Sequence, residues 1–306
     1  MATADWAEKA ALVALLRIRP AGLNWEELTA RVMEIGSAVA LWEQLVPPTL
    51  FDTTQTADDP LRTAAADLAG WDAQGLTVLS VLDGRYPASL RAVHQAPPVL
   101  FTRGRLLDDD LAVSVVGSRV ASDRGLSMAS SITKALVADD VTAVAGLALG
   151  IDTAVHRSAL DAGGRTVAVL GNGLNKVYPA VNRDLQGEVA DRGLLVSQFW
   201  PDAPPQKHTF LMRNATMSGY SLATVVVEAG EKSGTRVQAR LAVEHGRPVI
   251  LTDSVVRKNE WARGLIDRPG VYQVGSVREV LDVINFLKGA RVSVSDEKLG
   301  QVSVSI

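Results

Sequence analysis

The sequence predicts an α/β protein: a doubly wound, mostly parallel sheet preceded by a small helical module. Three observations carry this expectation. From Asp110 onward, short β-rich apolar runs alternate with helix-length stretches, as parallel βαβ units require because their crossovers need a dozen or more residues. Glycines stand where these runs hand over to the next helical stretch, at Gly117, Gly146, Gly171 and Gly230. The first 46 residues instead repeat apolar side chains at helical spacing only.

Taken in order, Trp6, Ala10, Val13, Leu16 and Ile18 follow a helical period, Pro20–Gly22 breaks it, and Trp25, Leu28, Val32 and Ile35 resume it. Val46 to Pro60, with Pro47–Pro48 and Asp58-Asp59-Pro60, reads as a linker. The expected domains are therefore 1–60, helical; 61–290, α/β; and 291–306, a tail. Residues 63–110, with Leu76–Leu82 and Pro97–Phe101, add a helix and edge strands. Strands are expected at Leu111–Val116, Thr142–Ala145, Thr166–Leu170, Leu194–Gln198, Thr224–Glu228 and Val249–Thr252. Between and after them the helical stretches are Asp123–Ala138, Thr153–Ala162, Asn182–Arg192, Thr235–His245 and Val277–Leu287. The tail Ala290–Ile306 alternates Val and Ser and reads as an unpaired strand or disorder.

Composition narrows the function. With 306 residues, 47% hydrophobic and 21% charged, the chain is long and apolar enough for a real core. Zero cysteines exclude a disulfide framework, thiol catalysis and cysteine-ligated zinc, and fit a reducing compartment. Asp5 and Glu8 precede the first apolar stretch, unlike the basic start of a signal peptide, and Val141–Ile151 has about half the length of a membrane helix. A cytoplasmic protein with no membrane contact is expected. Net charge is −3, but residues 1–62 hold 5 basic and 9 acidic side chains, leaving 26 against 25 for the rest. A binding surface for anions must then be a local groove, not a general basic coat.

Doubly wound sheets bind ligands beyond the carboxyl ends of their strands, which directs attention to the glycine loops. Gly117-Ser118-Arg119 offers close backbone approach, a hydroxyl and a forked cation; it reads either as an anion site or as an ordinary strand-to-helix turn. In Gly146-Leu-Ala-Leu-Gly150-Ile-Asp152, Asp152 is placed to cap a helix begun by Thr153, with His156 one turn later on the same face; the pair reads either as acid–base chemistry or as a structural contact, the latter favoured because no nucleophile stands in relation to it. Gly171-Asn-Gly173-Leu-Asn-Lys176 lacks the third glycine of a dinucleotide fingerprint, so no nicotinamide cofactor is expected. Arg165, taken alone, reads as a surface residue. Arg213-Asn214 lies in the second half, and Ser233-Gly234-Thr235 is either a phosphate cradle or a capped helix start. There is no GxxxxGK[ST], HExxH or GxSxG, and the histidines at 94, 156, 208 and 245 are scattered. Neither an enzyme, nor a metal site, nor a cofactor is expected.

In this order the loops resemble the DNA-processing protein A family (DprA, or Smf). The matching residues are Val115-Val-Gly-Ser-Arg119, Ala145 to His156, Gly163 to Leu174, Val177-Tyr-Pro179 with Asn182-Arg183, Arg213-Asn214, Val227-Glu-Ala229 and Ser233-Gly234. Tyr86-Pro87 and Pro97-Pro98-Val-Leu-Phe101 fit upstream. The resemblance implies an extended Rossmann domain after a helical SAM-like domain. It also implies single-stranded DNA binding, a homodimer, and a RecA-type recombinase as partner in transformation and recombination. By the same resemblance Arg119 and Arg165 take basic positions of a DNA groove whose floor is the glycine loops. Three departures stand out: Leu149 and Ala215 where the family has basic residues, and Leu211 where it has proline. The winged helix of many relatives is not expected after residue 290. An alternative is a sensor of a nucleotide or nucleotide-derived ligand. Related phosphoribohydrolases carry Glu three residues after the Thr, where this chain has Gln238, so hydrolysis ranks below binding.

Overall fold

The computed structural model describes residues 3–46 and 59–302. The linker expected at 46–60 falls almost wholly outside them. The chain opens with α1 (Thr3–Ile18), α2 (Trp25–Ile35), α3 (Ala38–Leu45) and α4 (Pro60–Ala73). There follow β1 (Thr77–Ser80), α5 (Ala88–Arg91), β2 (Val99–Gly104), β3 (Ala112–Gly117), α6 (Asp123–Ala138), β4 (Thr142–Ala145) and α7 (Ile151–Asp161). Next come β5 (Thr166–Val169), α8 (Arg183–Arg192), β6 (Leu194–Ser197), α9 (Lys207–Tyr220), β7 (Ala223–Glu228) and α10 (Gly234–Glu244). The remainder is β8 (Val249–Thr252), α11 (Asp253–Lys258), α12 (Glu260–Arg263), β9 (Val271–Val274) and α13 (Val277–Val302). The strands are mostly parallel and the helices lie between them, so the α/β expectation holds. Among the described residues, no helix is long and apolar enough to cross a membrane.

Two compact units interleave along the chain: 1–110 with 167–220, and 111–166 with 221–306. In the first, β1 pairs antiparallel with β2, β2 antiparallel with β6, and β6 parallel with β5. Its helices are tied down by charge as well as packing. Glu8 of α1 accepts from Ser37 Oγ at 2.7 Å and Ala38 N at 2.6 Å, capping α3. Lys9, only 2% exposed, pairs with Asp83 at 2.8 Å. Trp71 stacks on Trp200 at 5.8 Å, Phe101 meets Trp71 edge-on at 5.0 Å, and Arg17 lies 5.3 Å from the Trp200 ring centroid.

In the second unit five parallel strands run β4-β3-β7-β8-β9. Val113, Val115, Val225 and Ile250 from the strands pack with Ile132, Leu136, Val155, Val280 and Ile284 from α6, α7 and α13, all of them buried. Each such side chain contributes about 1.5–3 kcal/mol on burial. The tail departs from expectation, because 290–302 continue α13 and form neither strand nor coil. The Val/Ser alternation is brief, and Asp296-Glu-Lys-Leu299 extends a helix already nucleated upstream, which costs far less than starting one.

Candidate nucleic-acid interface

In the second unit β3 lies between β4 and β7. The chain leaves β3 toward β4 but leaves β7 toward β8, so their carboxyl ends form a topological switch point, where open α/β sheets bind ligands. Gly117 ends β3 in a space no other residue fits: a Cβ would meet Ile151 Cγ1 at 2.5 Å and the Glu228 carbonyl at 2.8 Å. The Ser118 hydroxyl is used locally, donating to Val120 O at 2.8 Å and accepting from Val120 N at 3.1 Å. That tight turn leaves Arg119 exposed and Val120 at 91% exposure. Gly150, at φ +72°, packs on the carbonyls of Ser118 and Arg119. Thr235 Oγ1 lies 3.3 Å from Gly117 O. Gly117, Ser118, Arg119, Gly146, Gly150, Ser233, Gly234 and Thr235 are thus brought to one end of the sheet.

Several groups that look like phosphate donors are instead engaged by the protein. Gly146 N and Ala148 N donate to Asp152 Oδ2 at 3.0 and 3.3 Å. Helix α7 begins at Ile151, two residues earlier than expected, so Asp152 holds the preceding loop and does not serve as the N-cap. Glu228 accepts from Ser122 N at 3.0 Å and from the Ser122 hydroxyl, placing a carboxylate at the start of α6. Ser233 Oγ accepts from Thr235 N at 3.1 Å, the cap of α10, and donates to Thr235 Oγ1 at 2.9 Å. Gln238 lies one turn further on, 1% exposed. His156 is buried and faces Thr166 Oγ1 at 2.7 Å. The Thr166 hydroxyl donates to Ala143 O, so His156 Nδ1 carries the proton it gives to Thr166.

Arg165 is not part of this cluster. Its carbonyl accepts from Ala143 N near the start of β4. Ala143 is in register with Val113, four residues before Gly117 along β3, which is about 13 Å at the usual strand rise. The structure therefore does not bring Arg165 to the end of the sheet that carries Arg119. Arg165 precedes a strand, whereas the other predicted loops follow theirs.

In the first unit the loop after β5 is held through its carbonyls. Gly171 O accepts from Thr209 Oγ1, Asn172 O from Ser197 Oγ at 2.8 Å, and Lys176 O from Asn172 Nδ2 at 2.9 Å. Gly173 is pressed against the carbonyls of Trp200 and Pro201. Lys176, 47% exposed, is 3.7 Å from Asp202. Arg213 reaches the end of β5 from α9, and both it and Asn214 are buried, at 6% and 7% exposure. Arg213 Nη1 donates to Val169 O at 2.8 Å and its Nε to Asn214 Oδ1 at 3.1 Å. Sequence reading missed α9 itself, and with it exposed Lys207 one turn before Phe210. The signal available was Pro204-Pro205 ahead of a basic pair, a helix-entry pattern. Among the described residues no group of three His, Asp or Glu is placed to hold a metal ion.

Ala215 lines a cavity of about 220 Å³ with Trp25, Glu26, Thr29, Pro97 and Met212. Glu26 is the one charged lining residue, so the cavity offers no cation to a nucleotide phosphate. Leu149 is not among its lining residues and is 45% exposed.

A mostly parallel sheet with this switch point defines a Rossmann-type α/β protein. The chain belongs to the family of DNA recombination-mediator protein A, which matches residues 77–275. It is 38% identical over 175 residues to the DNA processing protein DprA of Streptococcus pneumoniae, covering 56% of this chain and 61% of that one. To protein Smf of Escherichia coli it is 37% identical over 205 residues, 66% of this chain and 54% of that one. The chain thus spans about half to three fifths of the length of these curated relatives. The X-ray structure of the Streptococcus pneumoniae protein superposes with a TM-score of 0.66 at 27% identity, covering 90% of this chain and 95% of that one. DNA processing protein A from Helicobacter pylori, solved for its single-stranded DNA binding mode, gives 0.61 at 24% identity, over 70% of this chain and 96% of that one. The latter likeness is one of fold.

Proposed function

We propose that the chain binds single-stranded DNA with little sequence preference and acts as a recombination mediator. The observation that carries this reading is the match to the recombination-mediator family over 77–275, a range that contains every glycine loop described above. Exposed Arg119 and Lys176 supply phosphate contacts, and the glycine loops let the strand approach the backbone. Arg213, braced by Asn214, acts by holding the end of β5. Arm lengths of the test are an oligo-dT and a duplex of equal length, titrated across salt. The logarithm of affinity should fall linearly with that of salt, and the duplex should bind less well. A flat salt response overturns the phosphate account.

Within this reading, residues 1–60 form a SAM-like domain and 61–290 the Rossmann domain. The protein is a cytoplasmic homodimer that hands its strand to a RecA-type recombinase during DNA uptake or recombination. Recombinase loading is tested on strands coated with a single-strand-binding protein: the chain should speed filament formation there. No acceleration at any ratio overturns the mediator step while leaving DNA binding in place.

A further inference from the structure

The first unit holds a cavity of about 220 Å³ between the start of α2, the connection from α5 to β2, and α9. Trp25 and Glu26 line it from α2, and Met212 and Ala215, three apart and so on one helical face, line it from α9. Pro97 and Pro98 make a further wall, and Gln198 lines it from just past the end of β6.

These walls reject anions. No Arg, Lys or His is among the lining residues, and the two prolines have no N–H to offer. The start of α2, otherwise a source of free amides, is closed by a capping box: Asn24 Oδ1 accepts from Glu27 N at 3.0 Å, and Glu27 Oε2 accepts from Asn24 N at 2.8 Å. Glu26 is exposed, and its carboxylate has no hydrogen bond or ion pair with another described residue. A spare carboxylate beside an indole favours a cation.

The interior suits a flat apolar body with one polar end. The Trp25 ring is held in place, its Nε1 donating to Leu16 O at 3.3 Å and its edge set against Trp200 at a centroid distance of 5.6 Å. Met212 adds a polarisable thioether. Gln198 is only 6% exposed; its Oε1 accepts from the Thr216 hydroxyl, and its amide nitrogen has no partner among the described residues. A nearly buried donor left over is costly unless something accepts from it.

We propose that this cavity binds a small arylalkylammonium ion, with its ring on Trp25, its ammonium on Glu26, and a hydroxyl at the far end of the ring accepting from Gln198. The site takes a cation, so it is distinct from any phosphate contact and independent of strand binding.

The test titrates three probes into the full chain by calorimetry: tyramine, phenethylamine, which lacks the hydroxyl, and para-hydroxyphenylacetate, which carries a carboxylate in place of the ammonium. Tyramine should bind with a Kd of roughly 0.1–1 mM, as befits so few atoms. Phenethylamine should bind about 2- to 12-fold more weakly for want of one hydrogen bond, and the carboxylate not measurably. Glu26→Gln, at an exposed position, should weaken tyramine about 2- to 5-fold. With isotope-labelled methionine methyls, the Met212 resonance, identified by its loss in Met212→Leu, should move upfield as the ring enters, while that of Met128 in the second unit stays. Tyramine that fails to bind at millimolar concentration, a carboxylate that binds equally well, or binding that leaves the Met212 methyl unmoved overturns the site. Equal affinities for tyramine and phenethylamine overturn the role given to Gln198, and an unchanged Kd in Glu26→Gln overturns that of Glu26.

Discussion

Two arginines that look alike in the sequence have opposite surroundings. Arg119 is exposed on a turn closed by Ser118, whereas Arg213 is buried against Val169 and Phe210. Arg119→Ala should reduce the salt slope for oligo-dT by about 0.7 and leave the urea midpoint where it was. Arg213→Ala should instead cost about 2–4 kcal/mol in urea unfolding, because it strands a carbonyl and opens a gap under an aromatic ring. If both variants lower affinity alike with unchanged stability, the structural role given to Arg213 is wrong. Tyr86 shows a different kind of residue effect. Its hydroxyl is buried and donates to Pro97 O at 2.8 Å, and burial raises its pKa well above the ordinary value, with Arg91 partly opposing. The folded state therefore holds the phenol proton more tightly than the unfolded chain. Stability from this group is complete below about pH 10 and is lost as pH rises beyond it. Tyr86→Phe should lose about 1 kcal/mol at neutral pH and show a flatter alkaline decline in thermal melts.

Among elements, the strand-to-helix loops show how far the sequence can be read. Helix α6 and strands β4 and β8 fall at the expected residues because caps, apolar runs and turn residues coincide there. Helix α9 escapes notice for a physical reason: Arg213 to Tyr220 are all buried, so no polar stripe marks a helical period, and Thr216, Ser218 and Gly219 are poor helix formers. The glycine loops were legible as places but not as chemistry. Whether a loop amide meets a ligand depends on partners such as Glu228, which reaches Ser122 across 106 positions of sequence. Asp152 does the same for Gly146 from six residues away. Gly150→Ala tests one of these loops. Its φ of +72° and its contact with two carbonyls should make the substitution cost about 2–4 kcal/mol. Thermal unfolding that matches wild type would show that the loop relaxes freely.

For the whole molecule, the proposed homodimer is tested at the face of α13 that the core leaves over. Val280 and Ile284 are buried in the second unit, while Phe286 on the same helix is 66% exposed. A homodimer should scatter light as about twice 32.5 kDa, and Phe286→Glu should shift it toward the monomer. A wild-type monomer at high concentration removes the dimer. The indole pair in the first unit has a consequence of another kind. Trp71 and Trp200 lie 5.8 Å apart with planes only 26° from parallel, and Trp25 stands edge-on to Trp200 at 5.6 Å. Transition dipoles that close couple, so the far-ultraviolet circular dichroism should contain an exciton couplet from this pair. The second unit has a single tryptophan, Trp261, and cannot produce such a couplet by itself. The protein therefore carries a built-in, label-free optical gauge of its first unit, and titrating denaturant while watching that band alone would tell whether the helices around Arg17 and Trp71 detach before the rest melts.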